Sequence, residues 1–590
     1  MDFRNVNTLW SSVLVETLYR LGLKLAVICP GSRSSALTLA FAQHPQLETL
    51  PILDERSAAF FSLGRAKRSR RPVVLVCTSG TAGANFYPAI IEATESQIPL
   101  LVLTADRPPE LRHCHAGQTI DQLKLYGYYP RWQSELTLPS SALESLQYLR
   151  QTMVHAWERS LYPQAGVVHL NCPFQEPLAP MPDAAVLSWA DSFPLDSFWA
   201  MVRPISGNVR ISTLVNSDLT LLLQHCSGQA SWPAKGIIIA GLYQGDDPQP
   251  YCQAIAALSQ HLAYPVFGDA LSPLRNFFDG SYSLITTYDF VLRNPKIAQT
   301  LSPDCIIQIG ELPTSKNLRI WLSQLSCPRY IVDTSRDNFD PLHAQTQHLR
   351  LSLYQFVTIL AEQKKPVSRK KEYLQEWQVL ERKIQQKMTV LMTEKEELFE
   401  GKIAWLLSQS LPPQTPIFIA NSMPIRHVEF FWQPNQTYSQ PYFNRGANGI
   451  DGTLSSALGM AHQETPSLLL TGDLSLLHDT NGFLIRPYFR GHLTIILINN
   501  NGGGIFEMLA IASEESYFEN YFATPQSINF AKLCVSYNID YFIVNDQQTF
   551  VELISNLPQE GIRLLEIKTD RKADAAWLKR IGHQLAFLTA

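Results

Sequence analysis

The sequence predicts an α/β protein built from three doubly wound domains with parallel sheets. Apolar runs of strand length alternate with helical patterns along the whole chain, which is typical of parallel βαβ units. The chain has 590 residues, too many for one hydrophobic core. Many of the apolar runs end in loops rich in Gly, Asn, Asp or Ser, the composition of ligand-binding strand ends. We place the domains at residues 1–190, 200–360 and 370–590.

The first domain contains five strand-like runs separated by helical segments. They span residues 25–29, 51–53, 73–77, 100–104 and 165–170. The N-terminus before them has the pattern of an amphipathic helix rather than that of a signal peptide. From Pro173 to Pro194 the chain becomes rich in Pro, Ala, Ser and Asp, which predicts a linker.

Two further α/β units follow the predicted linker. The middle one has predicted strands at residues 236–240, 264–267, 304–309 and 329–332. A charged helix at residues 370–387 is predicted to cross to the third unit. That unit has predicted strands at residues 416–420, 468–471, 493–498, 541–544 and 563–567.

Composition excludes several classes of function. The formal net charge of −4 argues against a general nucleic-acid-binding protein. No apolar run reaches transmembrane length, so we expect no membrane partner. The nine cysteines contain no Cys-x-x-Cys pair, and several, such as Cys29 and Cys77, lie in apolar runs. We therefore predict reduced core thiols and a cytoplasmic protein.

Two loops in the third unit carry the clearest chemical signal. Asp473 follows the strand at 468–471, and Asn500 with a run of glycines follows the strand at 493–498. Their separation suits one crossover connection, which would bring both loops to the same edge of a sheet. A carboxylate, an amide and a main-chain oxygen form a hard donor set that suits Mg²⁺, or Mn²⁺, on a phosphate ester. The alternative is an Asp that caps a helix and a turn rich in Asn and Gly.

Gly472-Asp473-Leu474-Ser475 followed by Asn499-Asn500 resembles the signature of thiamine-diphosphate enzymes, although Leu474 stands where many members have Gly. The resemblance implies a metal ion held on the cofactor diphosphate by Asp473, Asn500 and Gly502. It also implies a pyrimidine-binding domain at 1–190, a central domain at 200–360 and a diphosphate-binding domain at 370–590. This layout is that of thiamine-diphosphate decarboxylases.

Glu55 is the predicted catalytic residue. It lies in Leu53-Asp54-Glu55-Arg56, at the end of the second predicted strand. Thiamine chemistry requires a carboxylic acid against N1′ of the aminopyrimidine, and a low-dielectric site would keep such a Glu protonated. The alternative is a charged start of a helix, and the signature in the third domain decides in favour of catalysis.

A set of motifs narrows the resemblance to one family of thiamine-diphosphate enzymes. In chain order they are Pro30-Gly31-Ser32-Arg33-Ser34, Asp54-Glu55-Arg56, Thr78-Ser79-Gly80-Thr81-Ala82, Thr104-Ala105-Asp106-Arg107-Pro108-Pro109-Glu110, Gly117-Gln118, Asn421-Ser422-Met423-Pro424-Ile425-Arg426 and Asn444-Arg445-Gly446-Ala447-Asn448-Gly449-Ile450-Asp451-Gly452. Together they resemble the 2-succinyl-5-enolpyruvyl-6-hydroxy-3-cyclohexene-1-carboxylate synthases of menaquinone and phylloquinone biosynthesis. That family decarboxylates 2-oxoglutarate and adds the resulting succinyl-semialdehyde unit to isochorismate in a 1,4 sense.

The resemblance assigns roles to residues in these motifs. The expected substrate contacts are Ser32, Arg33, Arg107, Gln118, Lys296, Ser422, Arg426, Arg445 and Leu509. The expected cofactor contacts are Glu55, Ile450, Gly472, Asp473, Leu474, Ser475, Asn500, Gly502 and Ile505. Ile450 is the apolar wedge that bends the cofactor, and Ile505 and Leu509 line the pocket near C2. In the middle domain, Arg293 is an alternative to Lys296 as the substrate contact. The motif before Gln118, His115-Ala116-Gly117, differs from the family pattern.

The family also implies self-association as a homodimer or homotetramer, with each active site shared between subunits. Two other functions compete with this one. Another thiamine-diphosphate enzyme, such as an acetolactate synthase or a simple 2-oxo acid decarboxylase, would have little use for several arginines. A catalytically dead binding protein on the same fold would have no reason to keep Glu55, Asp473 and Asn500.

Overall fold

Three six-stranded sheets, all parallel, organise the protein in a computed structural model that describes residues 1–204, 232–245, 247–362 and 371–588. The first and third sheets share one strand arrangement, β2-β1-β3-β4-β6-β5 and β14-β13-β15-β16-β18-β17. The middle sheet runs β12-β11-β10-β7-β8-β9, the order of dinucleotide-binding folds. The predicted fold class, three doubly wound parallel-sheet domains, is confirmed.

The first sheet alternates with helices on both faces. Its strands are β1 (Leu25–Ile28), β2 (Glu48–Pro51), β3 (Val73–Cys77), β4 (Leu100–Asp106), β5 (Trp132–Glu135) and β6 (Val167–Pro173). The helices of this part of the chain are α1 (Val6–Leu21), α2 (Ser35–Gln43), α3 (Glu55–Ser69), α4 (Thr81–Asn85), α5 (Tyr87–Glu95), α6 (Leu143–Leu161), α7 (Ala184–Leu187) and α8 (Leu195–Phe198).

The middle sheet is built in the same way and leads into the long charged helix. Its strands are β7 (Gly236–Ala240), β8 (Val266–Gly268), β9 (Leu284–Ile285), β10 (Cys305–Ile309), β11 (Arg329–Val332) and β12 (Thr346–Leu349). Its described helices are α9 (Pro248–Leu262), α10 (Tyr288–Val291), α11 (Pro295–Thr300), α12 (Lys316–Ser323), α13 (Leu353–Glu362) and α14 (Glu372–Glu394). The helix predicted at 370–387 corresponds to α14, and Lys370 lies outside the described residues.

The third sheet carries the two loops singled out from the sequence. Its strands are β13 (Ile417–Ile419), β14 (Pro441–Tyr442), β15 (Ser467–Gly472), β16 (His492–Asn499), β17 (Asp540–Ile543) and β18 (Gly561–Lys568). Its described helices are α15 (Glu400–Ser410), α16 (Met423–Phe431), α17 (Thr453–Ala461), α18 (Asp473–His478), α19 (Glu515–Phe518), α20 (Phe530–Tyr537), α21 (Gln547–Ser555) and α22 (Arg571–Phe587). A 3₁₀ segment, Thr480–Tyr488, continues from α18.

Four strands were not predicted, and all four are edge strands. They are β5, β9, β12 and β14. Both β9 and β14 have only two residues, and β5 and β12 are largely half-buried. An edge strand pairs on one side only and does not need the continuous apolar run by which buried strands are recognised.

Two predicted boundaries change in the structure. Strand β2 ends at Pro51 instead of spanning 51–53, because residues 52–54 form a loop and the Asp54 side chain caps α3 by accepting from the Ser57 N–H. The predicted linker after Pro173 contains the short helix α7, whose first turn is capped by Asp183.

Helices α3 and α17 join the first and third domains backbone to backbone. A Cβ at Gly64 would lie 1.9 Å from the Ser456 carbonyl oxygen, and a Cβ at Gly459 would lie 1.9 Å from that of Phe61. Glycine is therefore required at both positions for the helices to approach this closely. The contact fixes the orientation of α3, which begins at Glu55.

No helix in the described parts of the chain has the length and apolar character needed to cross a membrane. The eight cysteines that the structure describes form no disulfide. Cys77 is buried in β3, and Cys29 is buried directly after β1, which ends one residue earlier than predicted.

Candidate active site

The two predicted loops meet at the carboxyl edge of the third sheet. Strands β15 and β16 are neighbours in register, with Gly472 opposite Ile498. Asp473 begins α18, and its Oδ2 accepts a hydrogen bond of 2.8 Å from the Gly502 N–H. The crossover between the strands thus brings Asp473 and the glycine run into direct contact.

A cavity of about 340 Å³ lies above these strand ends, and we call it the third-domain cavity. All of its lining residues belong to residues 400–509. The predicted site residues among them are Ser422, Arg426, Arg445, Ile450, Gly472, Asp473, Leu474, Ser475, Asn500, Gly502, Ile505 and Leu509.

Backbone shape explains the glycine run. Gly502 has φ of +143°, and a Cβ there would lie 2.5 Å from the Ala523 carbonyl oxygen. A Cβ at Gly504 would lie 2.7 Å from the Asn500 Nδ2. A larger residue at 502 or 504 would therefore displace the loop that forms the floor of the cavity.

The donor set at the cavity floor fits a hard divalent cation. Asp473 is buried, and burial raises the pKa of its carboxyl group to about 6 despite backbone hydrogen bonds that lower it. The Asn500 Oδ1 is also buried and has no hydrogen-bond partner among the described residues. An unpartnered buried oxygen beside a buried carboxylate is unfavourable unless a cation satisfies both. No group of three or more His, Cys, Asp or Glu side chains in the described ranges could hold a metal, so a cation here would depend on amide and main-chain oxygens beside Asp473.

Glu400 is a cavity residue that the sequence did not reveal. Its Oε1 accepts a hydrogen bond of 2.6 Å from the Asn500 Nδ2. Burial raises the pKa of Glu400 to about 8, and the nearby carboxylates of Asp574 and Asp473 add to the rise. A single acidic residue at the start of a helix gives no local signal of such a contact, because acids are common there.

Two arginines face the same cavity. Arg426 Nη1 donates to the Ser422 carbonyl at 2.6 Å, and Arg445 Nη1 donates to the Asn421 Oδ1 at 3.1 Å. Burial lowers the pKa of Arg426, and the positive charge of Arg445 lowers it further. Ser422 has φ of +71°, in the left-handed region that a non-glycine residue rarely adopts. The cavity thus holds two partly desolvated cations on a constrained backbone.

The loop that carries Arg445 is held by the first domain of the same chain. The Glu92 carboxylate accepts from the N–H groups of Gly446 at 3.0 Å and Ala447 at 2.7 Å. Lys67 lies 3.3 Å from Glu92 and donates to the Phe443 carbonyl at 2.5 Å. Both Lys67 and Glu92 are buried, so their contacts with residues 443–447 connect the first domain firmly to the third.

The remaining predicted residues form a separate group, the first-domain cluster: Ser32, Arg33, Glu55, Arg107 and Gln118. Arg107 Nη1 donates to the Ser79 Oγ, and Gln118 Nε2 donates to the Ser79 carbonyl at 2.9 Å. Arg33 is 7% exposed, its Nη1 donates to the Phe174 carbonyl at 3.0 Å, and its Nη2 lies 3.3 Å from the Glu176 Oε1.

Charged side chains of the first-domain cluster shift the pKa values of neighbouring groups. Burial lowers the pKa of Arg33, and the positive charge of Arg107 adds to this effect. Burial raises the pKa values of the Cys29 and Cys77 thiols, and the Glu55 carboxylate raises both further. Glu55 therefore lies near the carboxyl ends of β1 and β3. None of the cluster residues lines the third-domain cavity.

Lys296 lies outside the third-domain cavity. It lies in the first turn of α11, where the Asn294 side chain accepts from its N–H, and it lines a different cavity between α11 and α14. Arg293, the alternative, pairs with Asp289 at 2.8 Å. Burial lowers the pKa of Arg445, and charges of the middle domain also act on it: Asp269 and Glu311 raise the pKa, and Arg319 lowers it. The role of Lys296 as a substrate contact stays a prediction.

Family comparisons agree with this geometry. Three family models match the chain: the thiamine pyrophosphate enzyme N-terminal TPP binding domain at residues 10–125, the middle domain of thiamine pyrophosphate enzymes at 217–419, and the thiamine pyrophosphate enzyme C-terminal TPP binding domain at 425–567. Fold and site together define the class of thiamine pyrophosphate enzymes, and thiamine diphosphate is the cofactor of that class.

Similar proteins narrow the class to one family. Relatives named 2-succinyl-5-enolpyruvyl-6-hydroxy-3-cyclohexene-1-carboxylate synthase include one from Rippkaea orientalis, 55% identical over 99% of this chain and 98% of the relative. Another, from Gloeothece citriformis, is 57% identical over 98% of both chains. A third, from Microcystis aeruginosa, is 56% identical over 98% of this chain and 99% of the relative. The chain belongs to the 2-succinyl-5-enolpyruvyl-6-hydroxy-3-cyclohexene-1-carboxylate synthase family.

Proposed function

We propose that the protein decarboxylates 2-oxoglutarate and adds the resulting succinyl-semialdehyde unit to isochorismate in a 1,4 sense, as a step of menaquinone or phylloquinone biosynthesis. The observation that carries this proposal is the pair of arginines in each half of the site, Arg426 with Arg445 and Arg33 with Arg107. The two substrates bring four carboxylates between them. Guanidinium groups bind carboxylates with two parallel hydrogen bonds, so the four arginines match the four carboxylates of the substrates.

We assign the two arginine pairs to different substrates. Ser422 and Arg426 lie in the third-domain cavity beside the proposed diphosphate site, so they hold the distal carboxylate of 2-oxoglutarate. Arg33 and Arg107 belong to the first-domain cluster and hold isochorismate. Acetolactate-type enzymes take small acyl groups. Partly buried arginines that repel one another would destabilise such an enzyme without helping it to bind its substrate.

The remaining site residues serve the cofactor. When bound, thiamine diphosphate would supply a nucleophilic carbon for the reaction at the 2-oxo group. Asp473, Asn500 and the Gly502 main chain would hold Mg²⁺, or Mn²⁺, at its diphosphate, with Gly472 and Leu474 beside them. Ser475 Oγ donates to the Ile450 carbonyl at 3.1 Å and so supports the apolar wedge, while Ile505 and Leu509 line the wall. Glu55 holds a proton at N1′ of the aminopyrimidine.

We further propose a homodimer, or a homotetramer built from such dimers, in the cytoplasm. The first-domain cluster lies outside the third-domain cavity of its own chain, and we infer that a second copy brings Glu55 to the cofactor. Leu53, 67% exposed, lies beside Glu55, and Leu509, 46% exposed, lies on the wall of the cavity. Exposed apolar side chains at both half-sites suit burial against a partner subunit.

The decisive experiment is a substrate assay with purified protein, thiamine diphosphate and Mg²⁺. We expect slow CO₂ release from 2-oxoglutarate alone, faster release with isochorismate, and a product whose mass equals both substrates minus CO₂. Pyruvate serves as the control for an acetolactate-type activity. Turnover of pyruvate in preference to 2-oxoglutarate would contradict the proposal.

The two substrates are expected to be separable by mutation. Arg426→Ala should raise KM for 2-oxoglutarate and slow single-turnover CO₂ release without isochorismate. Arg33→Ala should leave that half-reaction almost intact and impair the addition step. Each lost bidentate contact costs ~2–5 kcal/mol, largely because a carboxylate is left without a partner. Arg382→Ala, on the exposed side of α14, is the matched control. Equal damage by both variants to CO₂ release without isochorismate would refute the assignment.

Shared sites predict complementation between inactive variants. Glu55→Gln and Asp473→Ala each inactivate a different half of every site. A random mixture contains heterodimers in which one of two sites is intact, so activity should recover to about a quarter of wild type. The measurement requires independent proof of subunit exchange, for example by two affinity tags. Exchange without recovery would mean that each site is built within one chain.

A further inference from the structure

The Asn500 side chain has two chemically opposite ends, and its environment distinguishes them. Its Nδ2 donates to the Glu400 Oε1 at 2.6 Å, whereas its Oδ1 is buried without a hydrogen-bond partner in the described chain. Only the oxygen end can bind a cation, because the NH₂ end carries positive partial charge. A side-chain amide can turn over about its own axis, so something must select the end that faces the cation.

Glu400 is placed to make this selection. It lines the third-domain cavity and is 2% exposed. Its main-chain N–H donates to the Asp574 Oδ2 at 3.3 Å, and its Oε2 lies 3.5 Å from the His427 Nδ1. A carboxyl group has an oxygen that accepts from an N–H in both its ionised and its neutral form, so the contact with Nδ2 does not depend on which form is present.

Gly504 leaves room for this contact. A Cβ at position 504 would lie 2.7 Å from the Asn500 Nδ2, so any residue larger than glycine would crowd the amide. Asn500 and Asp473 both line the third-domain cavity. With Nδ2 bound to Glu400, Oδ1 is the end of the amide that remains for a cation.

We propose that Glu400 is a positioning residue for the metal site: it binds the Asn500 Nδ2 and thereby presents the Oδ1 to the cation. This inference rests on the proposed function, specifically on the assignment of Asn500 as a metal ligand. In this proposal Glu400 acts through the amide and not directly on the cofactor. Mutation of a residue that orients a metal ligand in this way typically weakens metal binding by about 10- to 100-fold.

The test is Mn²⁺ affinity in the presence of saturating thiamine diphosphate, measured by electron paramagnetic resonance of free Mn²⁺. Glu400→Met keeps the volume but removes the acceptor, and we expect Mn²⁺ to bind about 10- to 100-fold more weakly. Glu400→Gln keeps a carbonyl acceptor and should stay within about threefold of wild type. Glu381→Met is the matched control, since Glu381 is a buried, fully hydrogen-bonded glutamate of the middle domain.

A double-mutant cycle separates positioning from general damage. If Glu400 acts through Asn500, then Glu400→Met should weaken Mn²⁺ binding no further in an Asn500→Ala background. Additive effects would mean that Glu400 binds the cation itself or acts only on folding, and would overturn the inference. If Glu400→Met does not fold, Glu400→Asp retracts the acceptor by one methylene while keeping a carboxyl group, and wild-type affinity in that variant would overturn the inference equally.

The same measurements distinguish an error in the proposed metal site from an error in the positioning role of Glu400. If the wild-type protein does not bind Mn²⁺ more tightly with thiamine diphosphate than without it, or if Asp473→Ala binds as tightly as wild type, the metal assignment is wrong. If both of these controls behave as expected and Glu400→Met binds Mn²⁺ like wild type, only the positioning role is wrong.

Discussion

Replacing Glu55 with glutamine is expected to slow proton exchange at C2 of bound thiamine diphosphate by ~10²–10⁴-fold. Glutamine can still hydrogen-bond N1′ of the aminopyrimidine, but it has no acidic proton to stabilise the tautomer whose 4′ nitrogen removes the C2 proton. Cofactor affinity should change little, because the residues that we propose for the diphosphate and its metal belong to the third domain.

The measurement is quench-flow deuterium exchange at C2, read by proton NMR, together with a cofactor dissociation constant from tryptophan fluorescence. Glu110→Gln is the matched control, since Glu110 lies in another motif of the first domain and is exposed. Exchange at the wild-type rate in Glu55→Gln would remove Glu55 from the catalytic role, and a large loss of cofactor affinity would indicate a structural role instead.

Glu92→Leu should destabilise the protein by about 3–5 kcal/mol, the usual cost of removing one partner of a buried ion pair. The variant leaves Lys67 fully buried without its carboxylate, and it leaves the Gly446 and Ala447 N–H groups unpaired. Burial already lowers the pKa of Lys67 to about 8, while Glu92 acts in the opposite direction. Removing Glu92 therefore makes the charged form of Lys67 costlier still.

The effect is read from the urea midpoint by fluorescence at pH 7, with Glu95→Leu on the same helix as the matched control, because Glu95 is exposed. The double variant Lys67→Met, Glu92→Leu carries no unpaired charge and should recover part of the loss. A single variant as stable as the Glu95 control would mean that the pair contributes nothing to joining the domains. A double variant less stable than either single one would exclude charge burial as the cause.

The central strands and the third-domain cavity were predictable because their signals are local. A buried parallel strand is a continuous apolar run, and the Gly472-Asp473 and Asn500 to Gly504 loops contain the residues that strand ends need for ligand binding. Glu400 and Glu92 were not predictable, since each acts through a contact with residues far away in sequence. The role predicted for Lys296 depended on a weak motif match in the middle domain, with no strand end beside it to support the choice.

The glycine-lined crossing of α3 and α17 has a further consequence. Glu55 begins the first of these helices, and the loop bearing Ile450 leads directly into the second. Because Gly64 and Gly459 allow no gap between the backbones, α3 and α17 pack as one unit that connects the two half-sites of one chain. In a dimer with shared sites, this helix pair would extend from one cofactor to the other. The spacing of the two reaction centres would then be set inside each subunit and not by the subunit interface, so mutations at that interface could loosen the assembly without altering the distance between cofactors.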